Sequence, residues 1–316
     1  MEPVILSPNE IDFEEMSNIL KEAFGETRKS KFQSQRQNFK LSQAELQRKY
    51  LTGLLGTKIS VVIKDGKYVA INGLLKIGIQ NKTDLIAGWM SCDTAVTPEY
   101  RGLGLSKKCI NVLRDSIDEN SVFLGYPNLE SINIFKKMGW NIKNQYDILL
   151  KITNFLPIPK KFTVNKLEDF NTSIETRNIG INKNSQYLNW RYPKSDIFYQ
   201  KFTGENNNDF FHLVITFISV KGVKALVILE IITKSDSGFL GALNYANKIA
   251  KQNFCFFLIS SSNHSNKAML KSAGFRNIST KLNPRPILLA GESTGPISDK
   301  IWDNEWDISI GDWDAI

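Results

Sequence analysis

The chain has 316 residues, 42% of them hydrophobic and 23% charged, with a formal net charge of +8 at pH 7. That composition excludes a disordered chain and gives room for one large domain or two ordinary ones. Three cysteines (Cys92, Cys109, Cys255), each among apolar residues, exclude a disulfide framework, and two histidines (His212, His264) exclude a histidine-rich metal site.

In chain order, Ile11–Phe24 reads as a helix, with apolar residues at Phe13, Met16, Ile19, Leu20 and Phe24. Ser42 starts a second helix running to about Leu55, with Glu45 as its capping-box partner. Ile59–Ile63 and Tyr68–Ile77 are strands joined at Asp65-Gly66, a hairpin dipeptide. Asn81–Asp84 is a turn, and the next strand runs to Val96, where Pro98 stops it. Leu103–Ile117 is a helix, Val122–Gly125 a short buried strand, and Leu129–Met138 a helix closed by Gly139. Ile142–Ile152 supplies one or more strands, and NFLPIPKKF follows as a linker with two prolines.

The second half follows the same plan. Phe211–Ser219 and Val223–Ile232 are strands about a Lys221-Gly222 turn, Gly238–Gln252 is a helix, Phe254–Ser260 a strand, and Asn266–Ala273 a helix closed by Gly274. Asn128 precedes Gly139-Trp140 by the same spacing at which Asn263 precedes Gly274-Phe275. The shared order of elements predicts a duplication: an α/β (α+β) chain of two domains, 1–152 and 153–316, each a mixed central sheet flanked by helices. In the tail, WDNEWDISIGDWDAI reads as a final strand pair on the second half, with an aromatic sugar-binding strip as the alternative.

The stretch VTPEYRGLGLS, residues 96–106, joins a strand to a helix. Its glycines let the main chain turn tightly and approach a ligand, and the first helical amides lack intrahelical partners, so the helix start is an anion site. Lys107 and Lys108 add positive charge. Lys107 stands where a dinucleotide-binding GxGxxG loop needs its third glycine, and the Gly-Lys-Ser/Thr ending of a P-loop is absent.

Val96-x-Pro98-x-Tyr100-Arg101-Gly102-x-Gly104-x-Ser106 resembles motif A of the GNAT superfamily of acetyl-CoA-dependent N-acyltransferases, Arg/Gln-x-x-Gly-x-Gly/Ala. Gly125-Tyr126-Pro127-Asn128, Ser131 and Lys137-Met138-Gly139-Trp140 resemble the family's next strand–helix unit, and the second half resembles a degenerate copy without the loop. Tyr187-Leu188-Asn189-Trp190-Arg191-Tyr192-Pro193 looks like a run found in tandem GNAT-like proteins, several of them of surface polysaccharide synthesis. The resemblance implies N-acetyl transfer from acetyl-CoA, without a metal, to a primary amine of a small substrate such as an amino sugar. The amides of Arg101, Gly102, Leu103, Gly104, Leu105 and Ser106 would hold the CoA pyrophosphate. The strand ending at Val96 would part from its neighbour and pair with pantetheine, the backbone at Ala95 and Val96 would polarise the acetyl carbonyl, and Asn128 would meet the pantetheine arm.

Two departures bear on the chemistry. Phe135 stands where many family members have a tyrosine acid, and no Glu lies on the usual base side of the strand. By alternation Met90, Cys92 and Thr94 share one face and Asp93 the other, which leaves Asp93 as base or amine anchor or as a structural carboxylate. Cys92 is read as a core residue. Arg191 would bind a substrate carboxylate or phosphate, or stack on Trp190 or Tyr192, and His264 is a base or a loop-surface histidine. The second domain would shape the substrate pocket. The rival readings are a non-catalytic CoA- or ligand-binding protein and a tandem aminoacyl transferase. No nucleic-acid module is recognisable and no apolar run spans a membrane, so the expected partner is a small molecule. MEPVILSPNEIDFEE has no secretion-signal pattern, so a cytoplasmic location is expected.

Overall fold

A computed structural model describes residues 1–24, 38–81, 84–129, 131–153, 162–171, 179–206, 209–220, 222–262, 266–277, 287–295 and 299–312. In chain order these carry β1 (Val4–Leu6), α1 (Phe13–Phe24), α2 (Gln43–Leu51), β2 (Thr57–Lys64), β3 (Lys67–Asn81), β4 (Asp84–Val96), α3 (Leu105–Arg114), β5 (Ser121–Gly125), α4 (Ile132–Lys137), β6 (Asn141–Tyr146) and β7 (Ile148–Ile152). There follow β8 (Thr163–Lys166), β9 (Ile179–Ile181), α5 (Ser185–Arg191), β10 (Gln200–Glu205), β11 (Phe210–Val220), β12 (Val223–Ile232), α6 (Asp236–Gln252), β13 (Phe257–Ser261), α7 (Lys267–Ser272), β14 (Arg276–Asn277), β15 (Ile287–Ser293) and β16 (Trp306–Asp307).

Local chemistry accounts for the elements that position the site. Asp12 caps α1, its Oδ1 accepting from the Glu14 and Glu15 amides at 2.9 and 3.1 Å. Ser42 caps α2 by accepting from the Glu45 amide, but the Glu45 carboxylate turns to Arg48 at 2.6 Å, so the reciprocal half of the expected capping box gives way to an ion pair. Asp65 and Gly66, at φ 51° and 77°, make the two-residue turn between β2 and β3 with the primed geometry that matches strand twist. The expected turn at 81–84 includes 82 and 83, which lie outside the described residues.

The chain forms two compact units, residues 1–79, 85–144 and 288–304 in the first, and 80–84, 145–287 and 305–316 in the second. The first unit's sheet runs β1-β2-β3-β4-β5-β15-β6, with β4 and β5 parallel across the α3 connection. The second unit's sheet runs β14-β7-β13-β12-β11-β10-β8, with β12 and β13 parallel across α6. Each is the mixed sheet with helices expected from the order of elements.

The division of the chain differs from a cut after residue 152. Ile148–Ile152 is antiparallel to β13, and β15, from the far end of the sequence, is antiparallel to β5. Each sheet thus takes, beside its crossover-linked strand, a strand from outside its own half of the sequence. An apolar run followed by two prolines gives no sign of which sheet a strand joins, because pairing is decided by which edge is open. The tail differs too: apart from β16, paired to β9, it holds short 3-10 turns at Asp299–Asp303 and Ile310–Asp312 in place of a strand pair. Trp302 packs in the first unit, donating to the Ser293 hydroxyl at 3.0 Å, and Trp313 lies outside the described residues.

A buried charge cluster organises the second unit. Lys183 Nζ lies 2.6 Å from Glu230 Oε2 and 3.1 Å from Asp312 Oδ2. Burial works against the ammonium, but Asp312 and Glu230 outweigh it and hold Lys183 above the ordinary lysine range. Tyr192 and Ser309 donate to Glu230 Oε1 at 3.0 and 2.7 Å.

Two outcomes test this account. Residues 1–152 expressed alone lack β15 and should fail to give a cooperative melt or dispersed amide resonances, where the full chain gives both. Lys183→Met, which strands two buried carboxylates, should lower the unfolding free energy by about 3 kcal/mol in denaturant titration.

Candidate functional site

β4 and β5 pair from Ala87↔Ser121 to Ser91↔Gly125 and no further. β5 stops there, while β4 runs on to Val96. The last residues of β4 therefore lack β5 as a neighbour, and the two strands open as a fork. The Thr97 amide donates to Val69 in β3 at 3.1 Å, so by alternation the Val96 amide and carbonyl face away from β3, toward the fork. The Val96 carbonyl accepts from Arg101 Nε at 3.4 Å on that side.

Within β4, Asp93 has φ 50°, the left-handed region, where Asp is among the few non-glycine residues found readily. The kink overturns simple alternation. Ser91 and Thr94 both donate to Asn72 Oδ1, and Cys92 and Asp93 both meet the Tyr50 hydroxyl. Cys92 and Thr94 therefore point apart, because a left-handed residue inserts a half-turn into the pleat.

The Asp93 contacts fix its place. Tyr50 donates to Oδ2 at 2.6 Å and Lys49 Nζ approaches the same oxygen at 2.8 Å. Burial, with Asp93 and Cys92 beside it, pushes the Tyr50 hydroxyl well above its ordinary range, so it stays a proton donor. Both contacts fall on Oδ2, which leaves Oδ1 with acceptor capacity. Lys49, Tyr50 and Asn72 were not among the residues singled out in the sequence. The one available signal was a carboxylate in the middle of an apolar strand, which requires partners, but partners more than forty positions away carry no spacing signature.

After β4, a 3-10 turn at Pro98–Tyr100 leads into Arg101–Gly104 and α3. Tyr100 and Leu105 are set in an apolar cluster with Val62, Val69, Ala70 and Cys109, while Arg101, Gly102, Leu103 and Gly104 are all exposed between those anchors. Gly102 and Gly104 have φ 80° and 73°, and a Cβ on either would meet nothing within 4 Å. The cradle is open on the side where side chains would stand. Gly104 is the N-cap of α3 with no side-chain cap, and the first turn has no acidic residue. The opening amides of α3 thus keep their anion-binding capacity.

The matching helix of the second unit is closed. Ser235 caps α6, accepting from the Gly238 amide at 3.0 Å, and Asp236 lies in the first turn. β12 and β13 pair from Ala225↔Phe257 to Val227↔Ile259, and Leu229 bulges between Ile228 and Glu230. Beyond that pairing the tail crosses the strand ends: Ser261 of β13 donates to the Ile308 carbonyl at 3.5 Å and Ser309 to Glu230 of β12. A Cβ on Gly311 would stand 1.8 Å from the Tyr192 hydroxyl and 2.5 Å from Glu230 Oε1, so the tail fits only with glycine there.

The remaining sequence candidates are placed as follows. Ala95 is buried in β4. Asn128 is exposed and its Oδ1 accepts from the Ser131 amide at 2.7 Å, capping the turn into α4. Phe135 packs on Trp140 with ring centroids 4.7 Å apart, in the core beside Gly125, so α4 brings no hydroxyl to the fork at this position. Arg191 donates to the Gly311 carbonyl at 2.9 Å and lies over the Tyr192 ring, at the tail of the second unit. His264 lies outside the described residues. Among the described residues no helix is long and apolar enough to cross a membrane.

No family model matches the chain, and no curated protein does. Solved structures do. A GCN5-related N-acetyltransferase from Anabaena variabilis superposes with a TM-score of 0.61 at 10% identity, over 92% of this chain and 72% of that one. The chain has the fold of the GCN5-related N-acetyltransferases. A second GCN5-related N-acetyltransferase, from Kribbella flavida, gives 0.57 at 10% identity, over 92% of this chain and 70% of its own. Saccharomyces cerevisiae N-myristoyltransferase with bound myristoyl-CoA gives 0.55 at 10% identity, over 100% of this chain and 88% of its own.

The geometry makes Tyr50 a tie between α2 and the kink of β4. Tyr50→Phe should lower stability by about 1–2 kcal/mol in denaturant unfolding, through the lost bond and the Asp93 oxygen left short of a donor.

Proposed function

We propose that the first unit binds acetyl-CoA and transfers its acetyl group to a primary amine of a small substrate, of the amino-sugar type met in surface polysaccharide synthesis. The observation that carries this is the pairing of a strand fork with an uncapped, acid-free helix start whose glycines leave open space. Pyrophosphate fits there because its charge meets unsatisfied amides and its bulk meets no side chain. The amides of Arg101, Gly102, Leu103, Gly104, Leu105 and Ser106 would hold it, with Asn128 toward the pantetheine arm.

When bound, acetyl-CoA supplies an acyl carbonyl already activated as a thioester. The backbone at Ala95 and Val96 offers a donor toward the fork, fixed in place before any charge develops, which is the arrangement that stabilises an oxyanion. Asp93, held by Lys49 and Tyr50 through one oxygen, has the other with which to anchor an amine or take its proton. With Phe135 in the core, the leaving thiolate has no tyrosine acid from α4. That same feature favours a second reading, a protein that holds CoA without turnover. Thiol release that depends on an added amine, followed over a broad amine panel, separates the two.

Calorimetry with CoA should give one site per chain, since the second unit's helix start is capped and carries Asp236. Gly104→Glu should weaken binding by at least about a hundredfold, because its carboxylate would enter the anion cradle, while strain at positive φ lowers stability by only about 1–2 kcal/mol. Two sites per chain, or a Gly104→Glu protein that binds as the native one does, would sink the proposal.

A further inference from the structure

We propose that the pole of the second unit around Phe254 and Phe256 docks on an anionic membrane surface. Phe254 is 82% exposed, Phe256 63% and Ile152 70%. They stand at one end of the sheet: the Phe256 amide donates to the Lys224 carbonyl of β12, and the Thr153 amide, just past β7, donates to the Phe256 carbonyl, each at 2.9 Å. Cys255 between the two phenylalanines is fully buried, so the flanking rings are turned outward. Phe254 closes the end of α6, its amide donating to the Lys251 carbonyl at 3.2 Å.

Phe254 also has φ 55°. The other described non-glycine residues at positive φ are Asp65, Asp93 and Asn120, types that take this region readily. A bulky aromatic residue there is an outlier, and one this exposed recovers little from packing within its own chain. The ring is held out of the core against both backbone preference and hydrophobic burial.

Charge identifies the occupant. No Asp or Glu occurs from Ser237 to Gly291, from Phe210 to Leu229 or from Ile148 to Thr153, the stretches whose strands and helix end meet at this pole. Lys224 and Lys248 are exposed there, and Lys251 lies in the last turn of α6. Projecting aromatic rings within an acid-free field of lysines suit lipid headgroups: the rings enter the acyl boundary while ammonium groups remain at the phosphates.

Cosedimentation with vesicles tests this, using equimolar phosphatidylcholine and phosphatidylglycerol against phosphatidylcholine alone. The full chain should sediment with the anionic vesicles, lose that binding as salt rises, and stay in solution with the neutral ones. Phe254→Ser with Phe256→Ser should weaken partitioning by at least about tenfold, and Lys224→Glu with Lys248→Glu should do likewise, with melting temperatures retained in both. No vesicle binding, equal binding to both vesicles, or undiminished binding by the phenylalanine variant would overturn the proposal. So would a phenylalanine variant that changes only the sedimentation coefficient in lipid-free buffer, which would assign the pole to contact with a second copy. CoA calorimetry is independent of all these outcomes.

Discussion

The first unit is organised around the parting of two parallel strands. Hydrogen bonding holds β4 to β5 as far as Ser91 and Gly125, and beyond that β4 continues without that neighbour. The candidate site is built from the main-chain groups left over. A backbone donor at Val96 faces the opening, the kink at Asp93 turns Cys92 and Thr94 apart, and α3 begins a few residues later without a side-chain cap. The kink is maintained from outside the strand, because Tyr50 and Lys49 of α2 both reach the Asp93 carboxylate. Removing a helix side chain would therefore act on a strand geometry.

The two units make a controlled comparison within one chain. Both run a meander into a parallel pair through a crossover helix, and both have an irregularity in the strand before that helix. They differ at the helix start. One has glycine at positive φ and no cap, the other a serine cap and an aspartate. The Ser235 oxygen takes up the Gly238 amide and Asp236 adds negative charge, and both disfavour an anion at the start of α6. The tail of the second unit adds a second closure, with Gly311 set against Tyr192 and Glu230.

Local signals in the sequence carried far. The apolar spacing of α1, the Asp65-Gly66 turn and the glycine loop all follow from patterns within a few residues. Three things did not. The exchange of β7 and β15 between sheets depends on which edge is open, a property of the assembled fold. The faces of Cys92 and Thr94 depend on one left-handed residue, and period-two reasoning has no way to see a single positive φ at an aspartate. The clamp of Lys49 and Tyr50 on Asp93 spans more than forty positions. Glycines announce the main-chain part of the candidate site, and folding assembles the side-chain part.

The exchanged strands also bear on how such a chain can change over time. β15 comes from the second half of the sequence but lies in the first unit's sheet, and β7 comes from the first half but lies in the second unit's sheet. A deletion of everything after residue 152 would also take β15 out of the first unit's sheet. Neither half of the sequence can therefore be discarded without taking a strand from the sheet that the other half builds.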